Sequence, residues 1–274
     1  MIRLDKVIYY YPGSPRAAIQ NISLELNKGD FTVIMGRNAS GKSTLARLLN
    51  GLLLPDSGRV EVDGLDTGNP SHINEIRKKV GLLFAEPDNQ LVSNLVEEDV
   101  AFGPENLGLP SRQIKARVDT ALKLVSMEDY KKYPPHLLSG GQKQRVCIAG
   151  LLALQPEYMV LDEPTSMLDT KSRREVMETF CRFRRKMGTS IVLITHHFED
   201  ALQADRIIVL DQGQVQLDTK PLELLSKADH LKALGLEPAP LTSLIAQINQ
   251  DSGLNIPVDI VEIEHLVNIL CQLK

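Results

Sequence analysis

The sequence has no tryptophan, and aromatic residues make up only 4% of its 274 residues. Proteins that bind single-stranded nucleic acid stack its bases on aromatic side chains, so this composition argues against such a platform. Its three cysteines, Cys147, Cys181 and Cys271, lie far apart without a Cys-x-x-Cys pair. An odd number of scattered cysteines argues against a disulfide scaffold and favours a reducing cytoplasm. We expect each cysteine to be a small buried hydrophobe.

Long apolar runs and blocks of like charge are also missing. No stretch approaches the ~18 apolar residues that a membrane-spanning helix needs, and residues 1–5 do not resemble a secretory leader. The formal net charge is −4 and is spread along the chain, which does not suit a surface that grips a nucleic-acid backbone. We therefore expect no nucleic-acid partner, and any membrane role has to come through another protein.

What the sequence does have is an alternation of short apolar runs with amphipathic segments. This alternation indicates an α/β fold with a parallel sheet. Residues 59–83 are interpreted as a hairpin around Asp63-Gly64 followed by a further strand. The apolar runs typical of buried strands are residues 31–35, 158–161, 190–194 and 206–210.

Two regions are predicted to be helical throughout. Residues 96–137 carry several polar, amphipathic segments, so they look like a helical subdomain inserted into the α/β core. The other region covers residues 221–274, and Pro238-Ala239-Pro240 separates most of it from the core. Its apolar side chains recur at i, i+3, i+4 and i+7 in two groups: Leu241, Leu244, Ile245, Ile248 and Ile263, Leu266, Val267, Leu270.

Residues 36–43, Gly-Arg-Asn-Ala-Ser-Gly-Lys-Ser, fit the phosphate-loop pattern G-x-x-x-x-G-K-[ST] and lie between an apolar strand and a helix. In such a loop, backbone N–H groups wrap polyphosphate oxygens and the helix N-terminus adds its positive end. Lys42 is predicted to reach the β and γ phosphates, and the Ser43 hydroxyl to ligate Mg²⁺. We therefore predict a P-loop NTPase core that binds ATP.

Asp162 and Glu163 follow an apolar strand, where a carboxylate can meet Mg²⁺ beside the Ser43 oxygen. Asp162 is the predicted metal ligand. Glu163 can accept a proton from an attacking water and act as general base on the γ-phosphate. On its own, an acidic pair at a strand end is more often without a role.

Leu138-Ser139-Gly140-Gly141-Gln142 opens another predicted helix with a hydroxyl and two glycines. The backbone amides at such a start can form a second anion site, although plain helix capping is the commoner function of this pattern. The phosphate loop already surrounds one side of the same nucleotide. Two subunits that face each other head to tail would use both sites on one ATP.

These motifs, with residues 166–169 and His196, occur in the order and spacing of ATP-binding-cassette (ABC) ATPases, and the sequence resembles this family over roughly residues 1–220. The resemblance implies an antiparallel β-subdomain beside the parallel core, and a helical subdomain at about residues 90–150. It also implies that His196 touches the γ-phosphate and that residues 166–169 link two sites across a dimer. The residues that would contact the ATP of the partner subunit are Ser139, Gly140, Gly141 and Gln142.

The same resemblance assigns the nucleotide-binding residues of the phosphate loop and its helix: Gly36, Asn38, Ser40, Gly41, Lys42, Ser43 and Thr44. Tyr11 matches the aromatic residue that stacks on adenine in these ATPases. The adjacent Tyr9 and Tyr10 are alternatives for that role, and any of the three can instead belong to the sheet surface.

Within the ABC family, residues 86–90 (Glu-Pro-Asp-Asn-Gln), the Tyr-Pro-Gly at residues 11–13 and the Gly-Leu-Glu-Pro at 235–238 resemble the ATPases of energy-coupling-factor (ECF) transporters. These transporters take up vitamins, cobalt or nickel. The resemblance implies a second ATPase subunit, identical or a paralogue, together with a transmembrane coupling protein and a substrate-binding membrane protein. It places the chain at the cytoplasmic face of the membrane. The extension at 221–274 would serve pairing of the ATPases, or be a solvated cap on its own domain.

One residue departs from the family pattern. Such ATPases carry Gln after the residue equivalent to Phe84, where it ligates Mg²⁺ and senses the attacking water, but this chain has Ala85. A methyl group can do neither, so Ser43 and Asp162 would remain as protein ligands. Glu86 could substitute only if the loop shifted by one residue. We expect ATP binding to persist, and hydrolysis or its coupling to the membrane partner to be weakened.

Two other classes of protein share parts of this pattern. An ABC-type ATPase of DNA repair, of chromosome organisation or of the ribosome needs a long coiled coil, zinc cysteines or a second cassette, and none appears in the sequence. P-loop kinases of small metabolites share residues 36–43 but have no use for the motif at 138–142.

Overall fold

The structure is a computed structural model that describes residues 1–274 except 226–227, 237–239, 255, 258–259, 261–262 and 273–274. The described strands are β1 (Ile2–Tyr10), β2 (Ala17–Leu26), β3 (Phe31–Gly36), β4 (Ser57–Val62), β5 (Leu65–Asp66), β6 (Val80–Leu83), β7 (Tyr158–Asp162), β8 (Ser190–Ile194), β9 (Arg206–Asp211) and β10 (Gln214–Thr219). The described helices are α1 (Lys42–Leu49), α2 (Ile73–Lys79), α3 (Val96–Asn106), α4 (Ser111–Leu124), α5 (Gly140–Leu154), α6 (Thr170–Met187), α7 (Phe198–Ala201), α8 (Pro221–Leu225), α9 (Ala228–Ala233), α10 (Pro240–Ser252) and α11 (Ile263–Gln272).

The larger sheet has six strands in the order β10-β9-β3-β8-β7-β6. All neighbours are parallel except β10, which pairs antiparallel with β9. Every residue of β3, β7 and β8 is buried, as expected of parallel strands covered on both faces. Because parallel strands end at one edge of a sheet, the segments that follow β3, β7 and β8 come together there. They carry the phosphate loop, the acidic pair and His196.

The smaller sheet is antiparallel, with the strand order β2-β1-β4-β5. Buried side chains of this sheet pack in one apolar cluster with side chains of the larger sheet and of α1. Among them are Ile2, Leu24, Ile34, Leu45 and Val160. The predicted antiparallel β-subdomain on a P-loop core with a parallel sheet is confirmed.

The predicted hairpin is present as the turn at Asp63-Gly64 between β4 and β5. The predicted strand after the hairpin is β6, but helix α2 (Ile73–Lys79), which the sequence analysis did not predict, lies between the hairpin and this strand. Ile76 is the one buried residue of this short helix. A single buried position gives no helical periodicity, so the apolar pattern could not reveal α2.

The predicted helical segment between residues 96 and 137 contains α3, α4 and two short 3₁₀ turns, Glu128–Tyr130 and Pro135–Leu137. Side chains of α3 and α4 pack with α5 in the core cluster on the other face of the larger sheet. Those that contribute include Val96, Val100, Val118, Leu122 and Ile148. The helical insertion is therefore joined to the core through the helix that begins at Gly140.

The C-terminal extension contains two differently packed parts. Leu224, Leu231 and Leu236 belong to the core cluster of the larger sheet. The later residues have a small apolar cluster of their own, which includes Ile245, Ile256, Ile260 and Leu266. Residues 237–239, which include most of the predicted Pro-Ala-Pro separator and part of the Gly-Leu-Glu-Pro motif, lie outside the described residues.

The three cysteines are free thiols in three different environments: Cys147 is buried, Cys181 is half-buried and Cys271 is exposed. The expectation that all three are buried is confirmed for Cys147 and met only in part by Cys181. It was wrong for Cys271, because this residue lies on the solvent side of the amphipathic helix α11. Among the described residues, no helix has both the length and the apolar character needed to cross a membrane.

Candidate functional site

The phosphate loop, residues 36–43, joins the carboxyl end of β3 to the first residues of α1. Lys42 is buried, and its Nζ donates hydrogen bonds to the backbone carbonyls of Gly36 and Arg37 at 2.8 and 2.9 Å. Burial lowers the pKa of the Lys42 ammonium group, whereas Glu163 and Asp162 raise it. The ammonium group therefore lies within the loop and faces both carboxylates. Phosphate oxygens in the loop would favour its charged form further.

Two further predicted residues of the loop differ in their surroundings. Asn38 is exposed, whereas Ser40 is 2% exposed. The Oγ of Ser40 is buried and has no hydrogen-bond partner among the described residues. Buried polar atoms normally have a partner, so this hydroxyl is an exception within the phosphate loop.

Asp162 is the last residue of β7, and its Oδ1 is buried without a hydrogen-bond partner in the described part of the chain. Burial raises the pKa of this carboxyl group, the Ser43 hydroxyl lowers it, and the neighbouring Glu163 raises it again. A buried carboxylate oxygen without a partner, close to a hydroxyl, fits a hard cation that prefers oxygen ligands, such as Mg²⁺. The described residues contain no group of three or more His, Cys, Asp or Glu side chains suited to a metal. Phosphate oxygens and water would therefore supply the other ligands.

Glu163 and His196 lie in contact at the edge of the larger sheet. Their Oε2 and Nδ1 atoms are 2.8 Å apart. The backbone N–H of Glu163 donates to the carbonyl of Ile194, so the ends of β7 and β8 hold the two side chains together. Glu163 has a φ of 49°, a left-handed conformation that costs energy in a residue with a side chain. The predicted pair of catalytic residues is thus brought together by the sheet, and Glu163 adopts a strained backbone there.

Three consecutive tyrosines at the end of β1 and beyond have different positions. Tyr11 lies beside α1, and its hydroxyl is 3.1 Å from the Thr44 Oγ1. Tyr9 is buried and packs edge-on against the Tyr11 ring at 5.1 Å. Tyr10 is exposed, and its backbone N–H donates to Asp56. Of the three, Tyr11 is therefore the residue whose position beside the phosphate-loop helix suits stacking on a nucleobase.

Ala85 borders a cavity of about 590 Å³ that is also lined by Ser43 and Asp162. Glu86 lines the same cavity, but its Oε2 accepts a hydrogen bond from Asn89 Nδ2 at 2.8 Å. The side chain of Glu86 is thus engaged by its own loop. The small side chain of Ala85 leaves open space next to the two residues that would hold the metal.

Arg47 is a residue of this site that the sequence analysis missed. It lines the cavity at Ala85, and its Nη1 lies 3.5 Å from the Tyr11 hydroxyl. Its charge also lowers the pKa of Asp162. Arg47 follows Ser43 by four residues on α1, and residues four apart share a helix face. That spacing could have revealed it.

The motif Leu-Ser-Gly-Gly-Gln at residues 138–142, the signature segment, forms the start of α5. Ser139 and Gln142 make a reciprocal capping box, in which Ser139 Oγ accepts from the Gln142 N–H and Gln142 Oε1 accepts from the Ser139 N–H. Ser139 and Gly140 are exposed. Among the described residues, no hydrogen bond joins the signature segment to the phosphate loop. Within one chain this segment caps a helix and presents its first residues to solvent.

The two signature glycines have different neighbours. A methyl group built on Gly141 would lie 3.2 Å from the backbone oxygen of Met167 and 3.4 Å from Leu168 Cδ2. A methyl group on Gly140 would meet only the Met167 Sδ, at 3.9 Å. Residues 166–169 therefore pack directly on the signature helix of the same chain, and the absence of a side chain at 141 permits this contact.

The two-sheet core carries a phosphate loop, an acidic strand end, a capped signature helix and a helical insertion. Together these features define an ATPase of the ATP-binding-cassette class. The family model described as ABC transporter matches residues 19–166. The ATP-binding protein EcfA of the energy-coupling factor transporter from Syntrophomonas wolfei is 51% identical over 271 residues, covering 99% of both chains. The cobalt import ATP-binding protein CbiO from Syntrophus aciditrophicus is 40% identical, covering 96% of this chain and 94% of that protein. The chain belongs to the ABC transporter ATPases, and within them to the ATP-binding proteins of ECF transporters.

Solved structures agree with this assignment. The structure of CbiO1 from Clostridium perfringens, described as part of the transporter complex CbiONQ, covers 90% of this chain at 34% identity with a TM-score of 0.75. A dimeric ATP-binding cassette in a post-hydrolysis state with ADP and Pi covers 81% of the chain at 30% identity, also with a TM-score of 0.75. The predicted family, fold and ATPase activity are thereby confirmed.

The packing of the signature helix leads to a test that separates its two glycines. We expect Gly141→Ala to melt several degrees below Gly140→Ala. Alanine favours the helix at both positions, but only at 141 does its methyl group press on the Met167 backbone, and such overpacking costs about 1–3 kcal/mol. Gly140→Ala is the matched control, since its methyl group has room and alanine favours a helix. Thermal unfolding followed by circular dichroism measures both. Equal melting temperatures for the two variants would contradict the packing argument.

Proposed function

We propose that this chain is the ATP-binding and ATP-hydrolysing subunit that energises an ECF-type importer for a vitamin or a transition-metal ion. The observation that carries the proposal is the convergence of Lys42, Asp162 and Glu163 at one sheet edge. The ATP-binding protein of an ECF transporter also matches this chain over 99% of its length. The 40% identity to a cobalt import ATP-binding protein supports a solute of this class. We place the chain at the cytoplasmic face of the membrane, with no nucleic-acid partner.

The residues at the sheet edge suit distinct tasks in hydrolysis. Lys42 and the backbone of the phosphate loop bind the phosphates, and Ser43 with Asp162 holds Mg²⁺, which neutralises charge on the phosphates when bound. Glu163 takes a proton from the attacking water. His196 orients Glu163 through the 2.8 Å contact and reaches the γ-phosphate.

Two chains complete each site in this proposal. Tyr11 stacks on the adenine, and the exposed signature segment of a second ATPase subunit, the same chain or a paralogue, closes over the phosphates. The exposure of Ser139 and Gly140 leaves the start of α5 open to such a nucleotide. ATP then joins two subunits, and hydrolysis releases them.

The general-base role is tested with Glu163→Gln. We expect this variant to keep ATP and to accumulate as a closed dimer, while turnover in the assembled complex falls by about 10²- to 10⁴-fold, because an amide cannot accept the proton. ATPase assays and size-exclusion chromatography with ATP provide the measurements. Glu75→Gln, an exposed acid on α2, serves as the control. Normal turnover in Glu163→Gln would remove Glu163 from this role.

The open space at Ala85 has a consequence for turnover. We expect Ala85→Gln to raise ATP turnover in the assembled complex by about five- to thirtyfold, because an amide can ligate the metal and orient water where a methyl group cannot. Ala85→Leu is the matched control, since it fills the same cavity without an amide. A rate that does not change in Ala85→Gln, or that rises equally in Ala85→Leu, would refute the argument.

Residues 85–107 are the proposed docking surface for the transmembrane coupling protein, which in turn carries the substrate-binding membrane protein. A cavity of about 240 Å³ lies between this segment and α5, and it is lined mostly by apolar side chains. Val92 and Phe102 at its border are 70% and 55% exposed. Asp99 also lines it, and its Oδ2 is buried with no hydrogen-bond partner in the described part of the chain. An apolar helix of the partner that carries one basic side chain fits these features.

The carboxylate of Asp99 therefore provides a test of docking. Burial raises its pKa, while hydrogen bonds from the N–H groups of Val92 and Ser93 lower it. We expect Asp99→Asn to keep those hydrogen bonds and ADP binding, and to reduce recovery of the membrane partners by at least about tenfold, because a buried cation would lose its counter-charge. Co-purification from detergent-solubilised membranes measures this loss, and Glu75→Gln, an exposed acid on α2 outside residues 85–107, is the control. Full recovery with Asp99→Asn would place the docking contact elsewhere.

The extension at residues 221–274 is the proposed pairing element of the two ATPases, in addition to the nucleotide sites. Its two long helices leave part of their apolar stripes uncovered: Leu244, Ile263 and Val267 are 44%, 57% and 49% exposed. Exposed apolar side chains on helices of this kind can contribute to an interface with another chain. We expect a chain truncated at residue 240 to lose pairing through the extension while it still binds nucleotide.

A further inference from the structure

The turn between β9 and β10 touches the phosphate loop, although it belongs to none of the nucleotide-binding motifs. The backbone N–H of Gly213 donates to the carbonyl of Ser40 at 3.0 Å. The Gly213 carbonyl accepts the N–H of Gln20 in β2 at 2.8 Å. One residue of this turn thus connects the phosphate loop with the smaller sheet.

The three backbone segments at this junction are in close contact. A methyl group on Gly213 would lie 2.6 Å from the carbonyl oxygen of Ala18. A methyl group on Gly41 of the phosphate loop would lie 2.5 Å from the same oxygen and 3.5 Å from the Gly213 Cα. The two glycines therefore face each other across one carbonyl group. At Gly41 the methyl group would also lie 3.0 Å from the side-chain Cδ1 of Ile19. The nearest atom to both methyl groups is still the backbone oxygen of Ala18, and no side-chain rotation can relieve that contact.

The hydrogen bond to Ser40 has a consequence for the next peptide group. Because a trans peptide unit is planar, its C=O and N–H point in opposite directions. A donor that holds the Ser40 carbonyl therefore also determines the direction of the Gly41 N–H. That N–H is one of the loop amides that would point at the phosphates. Rotation of this peptide unit would remove an amide from the anion site.

We propose that Gly213 is a positioning residue of the ATP site, which sets the orientation of the Ser40–Gly41 peptide in the phosphate loop. The proposal rests on the function proposed above, because it assumes that residues 36–43 bind the nucleotide. Gly213 itself touches no substrate and acts through Ser40. Its side-chain-free position lets the turn approach Ala18 closely enough to donate that hydrogen bond.

The turn between β4 and β5 provides a matched control for Gly213. Asp63-Gly64 has φ values of 49° and 82°, and Gln212-Gly213 has 48° and 77°. A methyl group on Gly64 would meet nothing within 4 Å. Alanine at either position therefore bears the same left-handed strain. Only at 213 does it also press on the backbone that supports the phosphate loop.

Gly213→Ala and Gly64→Ala in the full chain test the proposal. Titration of Mg·ADP by isothermal calorimetry measures nucleotide affinity, and thermal unfolding measures stability. We expect both variants to melt at least about 2–4 °C below the unaltered chain. Gly213→Ala should bind ADP about three- to thirtyfold more weakly, whereas Gly64→Ala should bind it like the unaltered chain. Equal ADP affinities for the two variants would overturn the proposal.

If residues 36–43 do not bind the nucleotide as proposed above, the result is different, since the unaltered chain would then not bind Mg·ADP at all. If Gly213→Ala does not fold, Gln20→Ala takes its place. The Gln20 side-chain amide donates to the Gln212 carbonyl at 2.8 Å, so this variant loosens the turn without backbone strain. We expect about a two- to fivefold loss of ADP affinity. Unchanged affinity in Gln20→Ala would then overturn the proposal.

Discussion

The rest of this molecule depends on binding a multiply charged phosphate chain through backbone N–H groups. These groups have to be held in place before the ligand arrives. Amide dipoles stabilise an anion well only if they are already oriented, because reorienting them at binding would consume the gain. The chain satisfies this by placing residues 36–43 between a fully buried strand and a helix. The surrounding sheets hold the backbone from both sides.

Two charged groups at this loop are buried with opposite consequences. Burial lowers the pKa of Lys42 and raises that of Asp162, so both groups lie where their ionised forms are disfavoured. Their mutual attraction offsets part of this cost. A nucleotide with its divalent cation would supply an anion to the lysine and a cation to the aspartate. In the proposed function, the burial of these two groups would favour a nucleotide bound together with its divalent cation over either component alone.

Much of this arrangement follows from local patterns. The apolar runs predicted the central strands because parallel strands buried on both faces tolerate few polar residues, and residues 36–43 and 162–163 follow such runs. Helix α2 was not predicted, because it buries one residue. Arg47 was not assigned to the site, since a basic residue on a helix is usually on a solvated face. The exposure of Cys271 likewise depends on which face of α11 is covered.

The sequence by itself determined the class of protein, the central buried strands and the position of the phosphate-loop motif, because each depends on residues that are near one another along the chain. Only the tertiary structure decided that Tyr11 and not its neighbours lies beside Thr44, that Glu163 contacts His196, and that the turn at Gly213 supports Ser40. These contacts join segments between 33 and 173 positions apart. Their distances are set by how the sheets pack, and no local periodicity encodes that packing.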